Sequence, residues 1–251
     1  MMLNYIRADV KRILRSSSHL FLMILVFAVY FSVLYFPNRN MQVTPVSLVV
    51  SACGVLEWVM LFIGLFEMIA IFSEDFKVKT MQIAIGLGVT RTQVVLCKLF
   101  EVLALLVLDC LMVIAITMLS GAALGFTIPL KVLMDVVRVL LVHGLLGCAV
   151  FTSLTMIVLF VTHSMILSIF TYCFVGIDIV GILLSLLPMF GFEWIENLNL
   201  NRLTLSYLAG IVNTRLALGT VDIGGLVGLL IYMGIGLFAT CKLFQKRELE
   251  F

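Results

Sequence analysis

Apolar residues run along this chain in long stretches that polar residues interrupt only briefly. A helix needs about 20 mostly apolar residues to cross the hydrocarbon core of a bilayer. Six stretches suit that purpose, at residues 19–36, 46–72, 99–119, 139–161, 165–190 and 223–244. The first is short, and the fifth is long enough to tilt. The pattern predicts an all-α integral membrane protein in which residues 19–251 form a domain of six transmembrane helices.

The first 18 residues show a different pattern. Apolar side chains recur there at helical spacing, and basic residues occupy the rest of the helical wheel. The basic residues are Arg7, Lys11, Arg12 and Arg15. This predicts an amphipathic helix in the membrane interface, with its cations near anionic head groups. A plain basic flank of the first span is the alternative interpretation.

The composition supports a membrane protein. Of 251 residues, 63% are hydrophobic and 12% are charged, and the mean hydropathy is +1.23. Soluble domains are about 45–50% apolar and about 25% charged. The net charge of +2 is too small to indicate binding to nucleic acid.

Most Lys and Arg residues flank the predicted spans on one side. That side carries Arg7, Lys11, Arg12, Arg15, Lys77, Lys79, Arg91, Lys98, Lys242, Lys246 and Arg247. The other side carries Arg39, Lys131, Arg138, Arg202 and Arg215. Basic flanks stay cytoplasmic, so we expect both termini in the cytoplasm and the protein in the cell membrane.

Five acidic residues lie inside the predicted spans. They are Glu57, Glu67, Glu101, Asp109 and Asp178. A charge at the bilayer centre costs about 2.5–3.5 kcal/mol on insertion scales, so these groups should face the bundle interior or a cavity. Glu57, Glu67 and Asp178, with Gly64 on the face of Glu67, are candidates for an acidic pathway suited to cationic amphipathic substrates. Hydrogen bonding between helices is the alternative, and we favour it for Glu101 and Asp109.

Nothing in the sequence indicates catalysis. The three histidines, His19, His143 and His163, lie near predicted span ends on both sides and should not gather at one metal. The phosphate-binding GxxxxGK[ST] pattern, HExxH and GxSxG do not occur. The six cysteines form no CxxC pair and are expected to pack as small apolar residues. We therefore expect no enzyme, and no cofactor or metal bound by this chain.

The predicted cytoplasmic loop at residues 73–98 has an organised pattern. Residues 80–85 predict a short helix that Gly86 and Gly88 end, and Thr90 can cap the helix that follows. A bare linker needs no such signals. The loop is predicted to be a docking surface for a soluble partner.

The same loop resembles that of ABC-2-type permeases, the six-span membrane subunits of many bacterial ABC exporters. The resemblance rests on Glu74-Asp75-Phe76, Thr80, Gly88-Val89-Thr90-Arg91 and Lys98, and on the tail Phe244-Gln245-Lys246-Arg247-Glu248-Leu249. Lys79 stands where glycine is usual in that family, and Thr90 where serine is usual. The resemblance extends over the whole chain in span number, loop placement and the amphipathic first helix.

The resemblance implies a permease driven by a separate ATPase. The loop would be the coupling helix that sits in a groove of that ATPase, which binds ATP and Mg²⁺. The residues implied in coupling are Glu74, Asp75, Phe76, Thr80, Gln82, Gly88, Thr90, Arg91 and Lys98. Two ATPase copies and a second permease, identical or paralogous, would complete the complex, and the outer loop at residues 191–222 would partly cover the exit. Chains of this size in the family export amphipathic or antimicrobial peptides, or drugs.

A small secondary transporter or channel working as an oligomer is the alternative of another class. Such transporters use broken helices near the midplane. Gly176 and Gly181 flank Asp178, and this point is a candidate for unwinding in the fifth span. No matching segment occurs elsewhere in the sequence.

Overall fold

A computed structural model describes residues 2–39, 43–78, 80–86, 88–187 and 199–246, and these residues form helices joined by short turns without any strand. Helices are expected because a chain in lipid must satisfy its backbone hydrogen bonds within each segment. The elements are α1 (Met2–Leu14), α2 (Ser17–Tyr35), α3 (Pro45–Val78), α4 (Thr80–Gly86), α5 (Arg91–Ala123), α6 (Leu130–Val139), a π-helix (Leu140–Gly147), α7 (Cys148–Thr162), α8 (Met165–Gly176), α9 (Ile179–Leu186), a 3-10 turn (Leu200–Leu203), α10 (Leu205–Ala217) and α11 (Ile223–Lys246).

Five helical segments among the described residues are long and apolar enough to cross a membrane. They are Ser17–Tyr35, Pro45–Ser73, Arg91–Ala123, Leu130–Thr162 and Ile223–Gln245. α8 and α9 together meet the same test, but they are bent by 49° and make a sixth span only if the pair is counted as one. The chain thus has the all-α, membrane-protein character that the hydrophobic pattern predicts.

The fifth predicted span differs from the expectation of one tilted helix. It is broken between Gly176 and Ile179, and Asp178 has a positive φ of 53°. The residues from 188 to 190 lie outside the described part of the chain. The break falls at the point that the flanking glycines marked as a candidate for unwinding.

Two predicted loops contain more helix than expected. α3 continues to Val78 and α5 already begins at Arg91, so helix takes up both ends of the predicted loop at residues 73–98. Polar residues can stay helical beyond the apolar core, which hydropathy alone does not report. The outer loop likewise contains the 3-10 turn and α10. The turn between the fourth and fifth spans is confirmed at His163 and Ser164.

The chain divides into two compact units. The first comprises Met1–Lys79 and Leu96–Leu145. In it α1 packs on α2 and α3, and α3 also packs on α6. The hydroxyl groups of Tyr30 and Thr117 form a buried 2.9 Å hydrogen bond between α2 and α5.

The second unit comprises Thr80–Val95 and Leu146–Phe251. α7 packs there against α8 and α11, and α11 also packs on α10. Gly236 permits the closest approach, because a Cβ atom at this position would lie 2.8 Å from the backbone of Ser153 in α7. The hydrophobic effect does not drive helices together in lipid. Small residues let the helices approach closely, so that van der Waals packing stabilises the contact.

Candidate functional site

The most highly charged buried site of the described residues centres on Lys98, near the start of α5. Its ammonium group lies 2.7 Å from Asp9 Oδ2, 2.6 Å from Asp75 Oδ2 and 2.8 Å from Glu101 Oε2. Lys98 and Glu101 are fully buried and Asp75 is 1% exposed. These residues, with Arg12 and Tyr5, are called the Lys98 cluster below. One ammonium group thereby joins α1, the end of α3 and the start of α5.

Arg12 and Tyr5 complete the Lys98 cluster from α1. Arg12 Nη2 lies 3.4 Å from Oδ1 of both Asp9 and Asp75. The Tyr5 ring centroid is 5.1 Å from Lys98 Nζ. Burial raises the pKa of Tyr5 to about 12, even though Lys98 acts in the opposite direction. Two cations thus face three carboxylates with little access to water.

Sequence spacing explains how the Lys98 cluster forms. Asp9 and Arg12 are three residues apart on α1, and Lys98 and Glu101 are three apart on α5. Residues with this spacing share a helix face. Each helix therefore presents a cation and a carboxylate together.

Thr90 caps the start of α5, as the sequence predicts. Its hydroxyl accepts a 3.3 Å hydrogen bond from the Gln93 N–H, and the Gln93 side-chain oxygen accepts a 3.0 Å bond from the Thr90 N–H. This reciprocal pair is a capping box. The short helix α4 before it ends at Gly86, and Gly88 has a φ of 93° that favours glycine. The predicted helix, glycine break and capped helix are confirmed.

Arg91 connects this start of α5 to the end of α11. Its guanidinium group donates to the carbonyl oxygens of Phe244, at 2.9 Å, and Gln245, at 3.1 Å, and lies 5.7 Å from the Phe244 ring centroid. Gln245 donates to the Thr92 hydroxyl at 3.0 Å. The last carbonyl groups of a helix have no partner within it, and a cation there also suits the helix dipole. Arg91 thus holds the C-terminal end of the chain's last helix.

The predicted coupling residues fall into three groups. Asp75 and Lys98 are buried in the Lys98 cluster, so their side chains are not part of an exposed surface, and their role in coupling stays a prediction. Gly88 and Thr90 are exposed and Arg91 is half-buried. The side chains of Glu74, Phe76, Thr80 and Gln82 lie outside the described residues. The burial of Asp75 and Lys98 could not be foreseen, because Asp75 pairs with Lys98 and Arg12, and Lys98 also pairs with Asp9, all of them distant in sequence.

A second polar site lies deeper among the spans and contains His19, Glu67 and Asp109, called the His19 cluster below. His19 Nε2 is 2.7 Å from Glu67 Oε1. Asp109 lies close enough to Glu67 for the two side chains to interact electrostatically. All three side chains are buried, and they come from α2, α3 and α5. Glu67 and Gly64, three residues before it on α3, are both buried.

Sequence reasoning placed His19 at a span end and gave it no partner. His19 lies in the first turn of α2, and its partner Glu67 is 48 residues away on α3, so no local pattern reveals the pair. Asp109 is buried near Glu67, and the interhelical hydrogen bonding expected for it stays a prediction.

Glu57 differs from the other acids because its side chain is 53% exposed. Its carboxylate Oε1 lies 3.3 Å from His143 Nε2, in the π-helix. It is the predicted pathway acid whose carboxylate is most open to a neighbour or a ligand. His143 is a second histidine whose pairing the sequence analysis did not foresee.

Both carboxylate oxygens of Asp178 accept hydrogen bonds at the helix break. Its Oδ1 accepts a 3.1 Å bond from the Gly181 N–H and caps α9. Its Oδ2 accepts from the Ser206 N–H at 3.1 Å and from the Ser206 hydroxyl. Asp178 thus joins the break to the start of α10. An open cavity of about 390 Å³ lies beside it.

The basic residues of the N-terminal segment divide between two environments. Arg7, Lys11 and Arg15 are exposed, as the interfacial interpretation requires. Arg12 instead contacts the carboxylates of the Lys98 cluster.

The described residues offer no group of three or more His, Cys, Asp or Glu side chains placed to hold a metal ion. None of the six cysteines forms a disulfide bond. The polar groups of the described residues therefore form ion-pair clusters and contacts between helices.

Models of protein families and curated protein sequences were also compared with the chain. Neither comparison gives a match.

Proposed function

We propose that this chain is a permease subunit of an ATP-driven exporter of the ABC-2 type, with six spans and both termini in the cytoplasm. Its substrates would be amphipathic or antimicrobial peptides, or drugs. The chain itself would hydrolyse nothing. Two copies of a separate cytoplasmic ATPase would bind ATP and Mg²⁺, and a second permease copy or a paralogue would complete the pathway.

The observation that carries this proposal is the structured segment between α3 and α5. A seven-residue helix, α4, stands between two long apolar helices. Within the second unit, Arg91 bonds the start of α5, shortly after α4, to the end of α11. A short helix next to this contact can transmit a conformational change from a docked ATPase to the transmembrane helices.

The exposure of the Glu57 carboxylate supports a position that faces either a substrate pathway or a second permease copy. A half-exposed carboxylate in the middle of an apolar span would cost about 2.5–3.5 kcal/mol if it faced lipid. The cost is avoided if this face of α3 meets water or another subunit. A pair of permease subunits would supply both a water-filled pathway and a contact with another subunit.

Co-purification tests the docking role. The tagged chain would be expressed with its genomic neighbours, purified in nanodiscs, and assayed for a stoichiometric ATPase and for ATP hydrolysis. We expect Arg91→Glu to weaken ATPase retention about tenfold, which corresponds to about 1.4 kcal/mol, because the anion repels the carbonyl end of α11. Arg202→Glu, a change at an exposed arginine on the predicted outer side, is the matched control and should retain the ATPase.

Equal retention by both variants would remove the docking role from this segment. A preparation without any ATPase would argue against the exporter as a whole.

The substrate class can be tested at Glu57. Glu57→Gln removes the charge and keeps the size of the side chain. Export of a cationic amphipathic peptide should fall more than export of a neutral compound of similar hydrophobicity. An equal fall for both would assign Glu57 to packing.

The break at Asp178 favours one second candidate, a secondary transporter or channel. Half-helix ends and an acidic residue at an unwound point are typical of ion-coupled sites. In this chain the Asp178 carboxylate is already bonded to Gly181 and Ser206. Flux driven by an ion gradient in proteoliposomes, without ATP, would favour this candidate.

A further inference from the structure

A cavity of about 390 Å³ lies at the break between α8 and α9, beside the start of α10. Its polar lining consists of Asp178, Ser185, Asn201, Thr204 and Ser206. All of these residues belong to the second unit. At about 30 Å³ per water molecule, the cavity has room for about 13. That is far more space than a bare metal ion needs, so the cavity suits an organic ligand.

The Asp178 carboxylate brings a buried negative charge to this cavity, because the residue is only 8% exposed. Its hydrogen-bond donors are the N–H groups of Gly181 and Ser206 and the Ser206 hydroxyl. These donors stabilise the carboxylate but carry no net charge. Among the described residues, no Lys, Arg or His forms an ion pair with Asp178. Buried charges in proteins are normally paired, so the cavity has a place for a cation that the chain itself does not supply.

Two other buried carboxylates show the contrast. Lys98 Nζ lies 2.6 Å from Asp75 in the Lys98 cluster, and His19 Nε2 lies 2.7 Å from Glu67 in the His19 cluster. Each of these carboxylates has a basic group of the chain beside it. Asp178 is similarly buried but faces a cavity instead.

The hydroxyl groups in the lining offer acceptors to a ligand. The Ser185 hydroxyl donates to the Ile182 carbonyl oxygen at 2.7 Å, and the Thr204 hydroxyl donates to the Asn201 carbonyl oxygen at 2.9 Å. The Ser206 hydroxyl donates to the carboxylate. A hydroxyl has one hydrogen and two lone pairs, so these three groups have only lone pairs left. A ligand rich in N–H donors suits such a lining, whereas a phosphate or carboxylate does not.

Apolar side chains also line the cavity. Ile177 is 41% and Ile182 is 47% exposed. A hydrocarbon chain attached to the cation can pack against these side chains, which a free inorganic ion cannot use. The lining therefore favours an amphipathic amine over a simple ion.

We propose that this cavity binds the ammonium group of a small amphipathic amine. The ammonium group donates to the Asp178 carboxylate and to the neighbouring hydroxyl oxygens, and the hydrocarbon chain lies against Ile177 and Ile182. Binding requires neither ATP nor a second subunit. It rests on the proposed function in one respect only: in an exporter of cationic amphipathic compounds, the ligand is the amine of the substrate.

Binding of hexylamine to the full chain in nanodiscs tests the charge. Calorimetric titration would compare hexylamine with hexanol, its neutral counterpart, and empty nanodiscs would give the background. Asp178→Asn keeps an acceptor oxygen and tolerates the positive φ, so it removes the charge and retains the break. We expect it to weaken hexylamine binding about tenfold, the loss typical of one hydrogen bond to a charged group.

Asp222→Asn is the matched control. Asp222 also caps a helix of the second unit, where it accepts a 2.6 Å hydrogen bond from the Gly225 N–H, but it does not line this cavity. It should bind hexylamine as the wild type does. Equal affinities in the two variants, or a wild type that binds hexanol as well as hexylamine, would overturn the proposal.

A second pair of variants tests the location without changing Asp178. Ile182 and Leu183 are neighbours on α9 and are 47% and 52% exposed, but only Ile182 lines the cavity. Ile182→Trp should fill the cavity and weaken hexylamine binding several-fold, whereas Leu183→Trp should leave it unchanged. The same affinity in both would overturn the proposal. These titrations contain no ATPase, so a failure of the exporter assignment would not alter their outcome.

Discussion

Lys98 brings one positive charge to three buried carboxylates, so its removal should be costly. Lys98→Met keeps most of the side-chain volume but leaves Asp9, Asp75 and Glu101 without their main cation. Losing one partner of a buried ion pair costs about 3–5 kcal/mol. We expect a marked fall in the melting temperature of the purified protein in detergent.

Lys131→Met is the matched control for this prediction, because Lys131 is exposed. It should melt as the wild type does. A Lys98→Met protein as stable as this control would mean that the carboxylates of the Lys98 cluster can take up protons without loss.

Thr90 is a second residue whose effect can be predicted. Thr90→Ala removes the hydroxyl that accepts from the Gln93 N–H, and loss of such a cap costs about 0.5–2 kcal/mol. Hydrogen exchange should speed up at the first amides of α5 and not elsewhere. Thr127→Ala, in the exposed turn before α6, is the control, and equal exchange in both variants would show that the cap contributes nothing.

At the scale of elements, the break between α8 and α9 depends on one side chain. Asp178→Ala removes the acceptor of the Gly181 and Ser206 N–H groups, and each buried donor left unpaired costs about 1–3 kcal/mol. Hydrogen exchange at both amides should rise. In Asp178→Asn the exchange rate should rise much less, because asparagine keeps an acceptor oxygen and tolerates the positive φ. Similar exchange in the two variants would mean that the break forms without the carboxylate.

The same element shows where sequence reasoning succeeds. Long apolar runs specify helices because nothing else satisfies the backbone in lipid, and Gly86, Gly88 and Thr90 act through local geometry. These features were predictable. The bend at Asp178 was visible only as a candidate, because its partner Ser206 lies 28 residues away.

Pairings between helices were the part that sequence could not supply. His19 and Glu67 are 48 residues apart, and Lys98 and Asp9 are 89 apart. Each residue alone fits a span end or a basic flank. Only the packing of α1, α2, α3 and α5 brings a charge to its partner, so the sequence identified polar residues but not their contacts.

At the scale of the whole molecule, the bent pair decides the topology. If α8 and α9 together cross the membrane, the chain has six spans and its termini lie on one side. If they do not, the five remaining candidate spans put the termini on opposite sides. The distribution of Lys and Arg favours six spans with both termini inside.

Labelling of single cysteines can distinguish these topologies in a variant whose six native cysteines are replaced. A membrane-impermeant maleimide on intact cells should label Cys at Lys131 and at Thr220, both exposed turn or helix-start positions. Cys at Arg7 and at Lys242 should react only after permeabilisation, because both lie on the predicted inner side. Reaction of Lys242→Cys in intact cells, with Arg7→Cys still protected, would mean that α8 and α9 turn back. The C-terminal end of α11 and α1 would then lie on opposite sides, and Arg91, which bonds the end of α11, could no longer belong to a cytoplasmic docking segment.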